Sequence, residues 1–508
     1  MSAEKKNTTI SRCEEKERIK LEKSVETELS LPDYCSDIKK ILKCTLTAGI
    51  HSVNASGDRI NVKGTAVIRL IYVGEKDKLD CCEKTVELSM SGQCRQGDPK
   101  SVLVYEALTD YVNCRAVSQR KVSLSGSVSV ICRVMCPEKS EILSEADKDI
   151  EVSKRKLTEE DFICHTEKTF DMSETVALDK SQPSIGKIIR QHAYVSIDSK
   201  KAVDDKLLIK GELTVHCVYC SDDGDGKIVS LSHTMPLSQI TDLEGIDETC
   251  EIRVEGKVSQ LLVCAKADSS GAGRLIDVAA RVSCYICGFK RKEYEYISDC
   301  YCTKRKRSAL YEARNAFVPL CCSEKKMTLK QSVQLGAVRE ICDIWAGEHK
   351  ATFVKAQDTA KGRINITACF ICTDESGVPV FKEKELEFES DIPVDGDYDE
   401  LEGIFTAQVM KLSASTLREG STEVSAEVFT DIRAYGFCHI NYVCGLSEKQ
   451  PDDSSEKGPA LVAYYCDGGE RLWDIAKKYS APVEAVRAEN SFSEETIKAG
   501  TVLLIPCG

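Results

Sequence analysis

The chain has 508 residues, 42% of them apolar, with 69 basic against 82 acidic side chains and a formal net charge of −13. That length is more than one hydrophobic core serves, which predicts three or four domains. The acidic balance excludes non-specific binding to nucleic acid or anionic lipid, whose phosphates would repel it.

The first thirty residues are polar and read as an N-terminal leader, residues 1–30. They hold no apolar h-region and no small-residue cleavage site, so secretion is not expected and a cytoplasmic protein is. No apolar run reaches the ~18 residues that a membrane span requires. From Arg59 the sequence RINVKGTAVIRLIYV sets Ile60, Val62, Ala66, Ile68, Leu70 and Tyr72 on one parity, a long half-buried strand. The pattern returns in KLLIKGELTVHCVYC, with Ile209, Leu213, Val215, Cys217 and Tyr219, and in RINITACFIC, with Ile364, Ile366, Ala368, Phe370 and Cys372. Each run is followed by a polar turn at 74–78, 221–227 or 373–377.

Apolar pairs at i, i+3 stand upstream of each hairpin: Ile38/Ile41, Ile185/Ile188 and Val338/Ile341. Ile185 follows Ile38 by 147 positions and Val338 follows Ile185 by 153, and Tyr72, Tyr219 and Cys372 keep the same offsets. Two landmarks with one spacing define an internal repeat. A second alternating run closes each unit, carrying Val122, Leu124, Val128, Val130 and Val134, then Ile276, Val278, Ala280, Val282 and Cys284, then Val424, Ala426, Val428 and Ile432. Alternation of this kind predicts antiparallel sheets with one buried and one wet face. The expected units are 31–158, 159–320 and 321–445.

The 27 cysteines, an odd number without a secretion signal, point to reduced thiols. The C-x-x-C pairs Cys217/Cys220, Cys284/Cys287 and Cys369/Cys372 lie inside strand patterns, where residues three apart face opposite ways, so they are read as packing residues and not zinc ligands. Exposed thiols, among them Cys466 and Cys507, are left open to late oxidative cross-linking. The basic run Lys304–Arg307 reads as a solvated linker. The acidic run 222–226 lacks the glutamate a calcium loop needs and reads as a hairpin turn. No phosphate-binding loop, metalloprotease helix or nucleophile elbow occurs, and the seven histidines are scattered, with His216 placed on a solvent face. No enzyme, cofactor or metal is expected.

After Gly445 a polar, proline-containing stretch, 446–460, reads as a flexible linker. Residues 461–508 then predict a short strand, a helix with Leu472, Ile475, Ala476 and Tyr479 on one face, a second helix starting at Pro482, and a strand ending at Pro506.

This βααβ order resembles a LysM domain. The matching residues are Gly469-Glu470-Arg471-Leu472, Ile475-Ala476, Pro482-Val483, Asn490 and the ending Ala499–Pro506, with Arg471 standing where the family has a small hydroxyl residue. The resemblance implies binding of N-acetylglucosamine chains such as peptidoglycan in a groove formed by Gly469, Glu470, Arg471, Leu472, Asn490, Ser491, Phe492 and Ile497. A long cation at Arg471 suits an acidic protein partner as well as a sugar. Trp473 is read as a packing residue rather than a sugar-stacking one.

Three β repeats followed by a LysM resemble the SPOCS–LysM spore coat morphogenetic proteins of spore-forming anaerobes. LPDYCSDIKKIL at Leu31–Leu42 is similar to the opening of a SPOCS unit, and Lys210–Tyr219 to its KGEL-type strand. The third repeat lacks the glycine there and ends in Cys372 rather than tyrosine. The resemblance implies a mainly β chain of three tandem SPOCS-like repeats and a small α+β LysM domain. It also implies a non-catalytic coat-assembly factor in the mother cell, at the forespore surface, that docks through its LysM onto the coat-basement ATPase (SpoIVA-like). The alternative is a peptidoglycan-binding anchor of the cell wall or cortex.

Overall fold

The computed structural model describes residues 7–95, 101–146, 149–223, 226–303, 308–355, 359–396, 398–416, 421–447, 460–491 and 496–506. The basic run 304–307, Gly224 and Asp225 of the acidic turn, most of the expected linker (448–459), Phe492 and Cys507 lie outside these.

The chain is mainly β. The first unit holds β1 (Asn7–Ser30), β2 (Lys40–Ser56), β3 (Arg59–Val73), β4 (Leu79–Gln93), β5 (Val102–Ser118) and β6 (Lys121–Leu143). These make two three-stranded antiparallel sheets, β2-β3-β4 and β1-β6-β5. Residues 7–30, expected as a leader, are therefore an edge strand paired with β6 from Asn7↔Leu143 to Ser30↔Lys121. Their charges hid this role: Leu21, Val25 and Leu29 are buried, but the residues between them are polar or charged.

The second unit repeats the order with β7 (Ile150–Ala177), β8 (Ile185–Val203), β9 (Lys206–Ser221), β10 (Ile228–Asp242), β11 (Glu251–Ala267) and β12 (Gly273–Cys302). The third does so with β13 (Ala309–Gln334), β14 (Glu340–Lys355), β15 (Ala360–Thr373), β16 (Pro379–Ile392), β17 (Glu400–Thr416) and β18 (Ser421–Leu446). Their sheets are β8-β9-β10 with β7-β12-β11, and β14-β15-β16 with β13-β18-β17. In each unit the alternating faces of the two sheets enclose a separate core.

Side chains keep the repeat as faithfully as strands do. Tyr72 donates to Ser36 O and Tyr219 to Pro183 O, both at 3.0 Å, so one phenol pins the same loop in two units. Gly64 and Gly211 are glycine for one reason. A Cβ there would stand 2.3 Å from Gly49 O and 2.0 Å from Ser196 O, carbonyls thrown inward by bulges at Ile50/Ser52 and Ile197/Ser199.

The three units close into a ring. The edges meet in turn as β4 with β8, β10 with β14, and β16 with β2. Ile71, Leu79 and Cys81 of the first unit, Ile189 and Cys220 of the second and Ile371 of the third share one buried cluster at the centre. Around it the Cys81 thiol donates to Ile188 O at 3.2 Å, Lys187 pairs with Asp80, Lys43 with Glu383, and Arg190 with Asp343 at 2.9 Å. The nominally wet face of each middle strand is thus wet only at its start. Lys210 and Glu212 of β9 are exposed, whereas Val218 and Cys220 at its end are buried.

At the far end of the long sheets, Glu159 of β7 is 1% exposed. It ion-pairs with both Arg12 of β1 and Arg314 of β13 and accepts from Tyr294 of β12 and from Phe317 N at 2.9 Å. A buried carboxylate held by two guanidiniums joins the three units there.

The C-terminal module comprises β19 (Leu461–Tyr465), α1 (Leu472–Lys478), α2 (Val483–Asn490) and β20 (Val502–Pro506), with β19 and β20 antiparallel. Its core is Cys466, Leu472, Ile475, Ala476, Ala481, Val486, Ile497, Leu503 and Ile505, to which Tyr301 of β12 also belongs. Cys466, expected as an exposed thiol, is 4% exposed, because it directly follows β19 and packs into this core.

Candidate functional site

The module's rim begins where Gly468 and Gly469 take φ of 92° and 78°, left-handed values that free the chain to turn from β19 into α1. Gly469 N donates to Ile497 O and Ile497 N to Glu470 O, each at 2.9 Å, and Arg471 bridges to Thr496. The segments 469–471 and 496–497 are therefore stitched edge to edge. Arg471 caps α1 through its backbone alone, and its side chain is exposed. Ser491 ends α2 in the left-handed conformation and is also exposed.

The other expected groove residues serve the fold. Leu472 and Ile497 are 2% and 1% exposed and face the module core. Glu470 accepts from Tyr464 Oη at 2.8 Å and from Asp467 N at 3.0 Å, closing the turn from inside. Asn490 donates through Nδ2 to Val486 O at 2.8 Å and Leu504 O at 2.7 Å, and its Oδ1 accepts from Leu504 N at 2.7 Å. Its amide ties the end of α2 to β20 and has no donor to spare for a ligand. Phe492 lies outside the described residues. Of the expected set, Gly469, Arg471 and Ser491 offer surface.

Trp473 packs, as its sequence context suggested, but its partner is the body. Its indole Nε1 donates to Asp299 Oδ2 at 2.8 Å, and its ring meets Tyr301 edge-on with centroids 5.0 Å apart. Lys477, one turn further along α1, reaches Asp299 Oδ1 and Oδ2 at 2.6 and 2.7 Å. Tyr301 Oη donates to Ala481 O at 2.8 Å, and Tyr311 of β13 donates to Asp299 as well. Burial pushes the Asp299 carboxyl pKa up, but the bonds from Lys477, Tyr311 and Trp473 outweigh it and hold the group below its ordinary value. These residues clamp the module onto the body. Sequence reading missed the clamp because Asp299 and Tyr301 lie in a strand far along the chain; the signal was the run YISDCYC, aromatic or apolar on both parities.

Two further clusters gather ionisable side chains. Glu160, Glu251 and Cys322 come together, but Arg253 donates to Glu160 at 2.7 Å and to Glu251 at 3.2 Å, with the Phe289 ring 3.9 Å below it. The guanidinium occupies the place a cation would take. A cavity of about 320 Å³ between the second and third units is lined by Arg190, His192, His216, Asp343 and Trp345. His216, expected on a solvent face, lines this cavity because the third unit covers the end of β9. Burial, with Arg190 and two neighbouring imidazoles, lowers the His192 pKa to about 4, so the ring is neutral near pH 7.

A body of threefold-repeated antiparallel sheets bearing a small βααβ module defines a mainly β, multidomain protein. Comparison with known families places its parts: the model described as SipL, SPOCS domain matches residues 184–265, and that of the LysM domain matches residues 469–506. The chain carries both domains and falls among sporulation-associated proteins. The SPOCS match covers β8, β9, β10 and nearly all of β11, and the same four-strand stretch recurs in the other two units. Both families are non-catalytic binding domains. No curated protein and no solved structure matches the chain. Among the described residues no helix is long and apolar enough to cross a membrane.

Proposed function

We propose that the protein is a non-catalytic spore coat assembly factor whose LysM module docks onto the coat-basement ATPase, SpoIVA-like, at the forespore surface in the mother cell. One observation carries this reading. Asn490, expected in the glycan-binding groove, has its side-chain amide consumed by the fold, while Arg471 projects from the rim as an exposed cation. A guanidinium on a surface recognises carboxylates, which a protein partner supplies and a chain of neutral N-acetylglucosamine does not. The three units, with strand pairing from 7 to 143, 150 to 302 and 309 to 446, act as the frame that carries this face.

The second reading, anchoring to peptidoglycan, rests on the LysM match itself. The two separate in one experiment with the full chain and its Arg471→Glu variant. Charge reversal should abolish capture of the ATPase and leave retention on chitin oligomers or insoluble peptidoglycan unchanged. Retention on glycan with no ATPase capture by the unaltered chain would replace the first reading with the second.

A further inference from the structure

The seam between the second and third units holds the cavity of about 320 Å³, and its charges are balanced differently from those of the other two seams. At those, Arg69 pairs with Glu83 and Lys187 with Asp80, and Lys43 pairs with Glu383. In the cavity Asp343 neutralises Arg190, its Oδ2 accepting from Nε at 3.0 Å and lying 2.9 Å from Nη2. The Trp345 ring, with its centroid 4.6 Å from Arg190 Cζ, holds the guanidinium in place. Lys411 of β17 is a second cation in the same lining, exposed and with no carboxylate paired to it among the described residues. Arg190 and Lys411 against Asp343 leave the lining positive, in a chain of net charge −13.

Strand register adds hydrogen-bonding groups to that charge. His192 of β8 and Ser232 of β10 each stand opposite His216 of β9, so the three side chains share one face of the sheet, and all three line the cavity. His192 and Ser232 are exposed there. Tyr194 stacks on the His216 ring with centroids 5.8 Å apart. His216 Nε2 is buried with no hydrogen-bond partner, so the floor of the cavity keeps one unused polar atom. A neutral imidazole offers one N–H and a serine one O–H, and an anion accepts from both. A metal ion would seek the imidazole lone pairs instead, but Arg190 and Lys411 face His216 against Asp343 alone, and their field repels it.

We propose that this cavity binds a phosphate-type oxyanion, held by Lys411 Nζ from the third unit and by His192 and Ser232 from the second, so that the bound anion bridges their seam. Donors arriving from two facing surfaces suit a tetrahedral anion, whose oxygens point to all sides, better than a planar carboxylate. The cavity takes no part in the docking proposed for the LysM module, so either reading can fail without the other.

The test is equilibrium dialysis of the full chain against radiolabelled inorganic phosphate at pH 7.5 and constant ionic strength. One saturable site per chain is expected, and phosphate should raise the thermal midpoint because it binds the folded ring. Lys411→Met and His192→Phe should each weaken the affinity roughly tenfold, the usual weight of one hydrogen bond to a charged group, and leave the midpoint in phosphate-free buffer unchanged. Sulfate should displace the label and acetate should not. No saturable binding by the unaltered chain, displacement by acetate as readily as by sulfate, or full affinity in both variants overturns the proposal.

Discussion

Replacing Asp299 by alanine removes the acceptor shared by Trp473, Lys477 and Tyr311. A hydrogen bond to a charged group contributes about 1.5–3 kcal/mol net, but the Lys477 side chain is 38% exposed and its share is screened by solvent. The loss should therefore be about 2 kcal/mol of docking free energy, a factor of roughly 30 in the ratio of docked to released module. The module's own core, with Leu472, Ile475 and Val486, is untouched, so it should stay folded. In a Trp345→Phe background Trp473 is the only indole, and its acrylamide quenching through a urea titration reports release. The Asp299→Ala chain should release the module at a lower urea midpoint with an unchanged slope. Identical titrations for the two chains would refute the clamp. The module would then rest on the body without energetic coupling.

Three further outcomes follow from particular contacts. Glu159→Gln leaves Arg12 and Arg314 facing each other without a counter-charge in a buried site, and should cost about 3–5 kcal/mol, read as a large fall in the thermal midpoint of the whole ring. Asn490→Ala strands Leu504 N and two carbonyls, and should cost the module about 2–3 kcal/mol by urea unfolding; any loss of partner binding should track that unfolding. His165, His192, His216 and His349 all have pKa values lowered first of all by burial. Each is neutral when folded and takes up a proton on unfolding below its ordinary 6.5, so the unfolded state binds more protons there. Stability should be complete above about pH 6.5 and fall toward pH 4. A thermal midpoint that stays flat from pH 7 to pH 5 would contradict this, and loss confined below pH 4 would point to carboxylates such as Asp299 instead.

Much of the fold was legible because a strand's period of two is a local property. The parity of Ile60, Val62 and Ile68, or of Val424, Ala426 and Val428, names the buried face without knowledge of its partner. The offsets of 147 and 153 revealed the repeat in the same way, and the diverging C-x-x-C sulfurs follow from that parity: Cys217 enters its own unit's core, and Cys220 enters the cluster at the ring's centre. The βααβ order of the module and its cores were equally local matters of spacing and turns.

The assembly was a different matter. That β1 pairs with β6, with partners from Ser30↔Lys121 to Asn7↔Leu143, and that the wet face of β9 turns dry at Val218 and Cys220, depend on which surfaces meet when three sheet pairs close a ring. Asn490 read as a binding residue because its spacing matched a motif, and only the approach of Leu504 shows its amide already spent. The same holds for Trp473, Asp299 and Tyr301, whose sequence positions say nothing of the clamp they form. Periodicity determines what a segment buries. Which partner covers it is set by long-range packing, where shape and charge from distant parts of the chain compete for the same face.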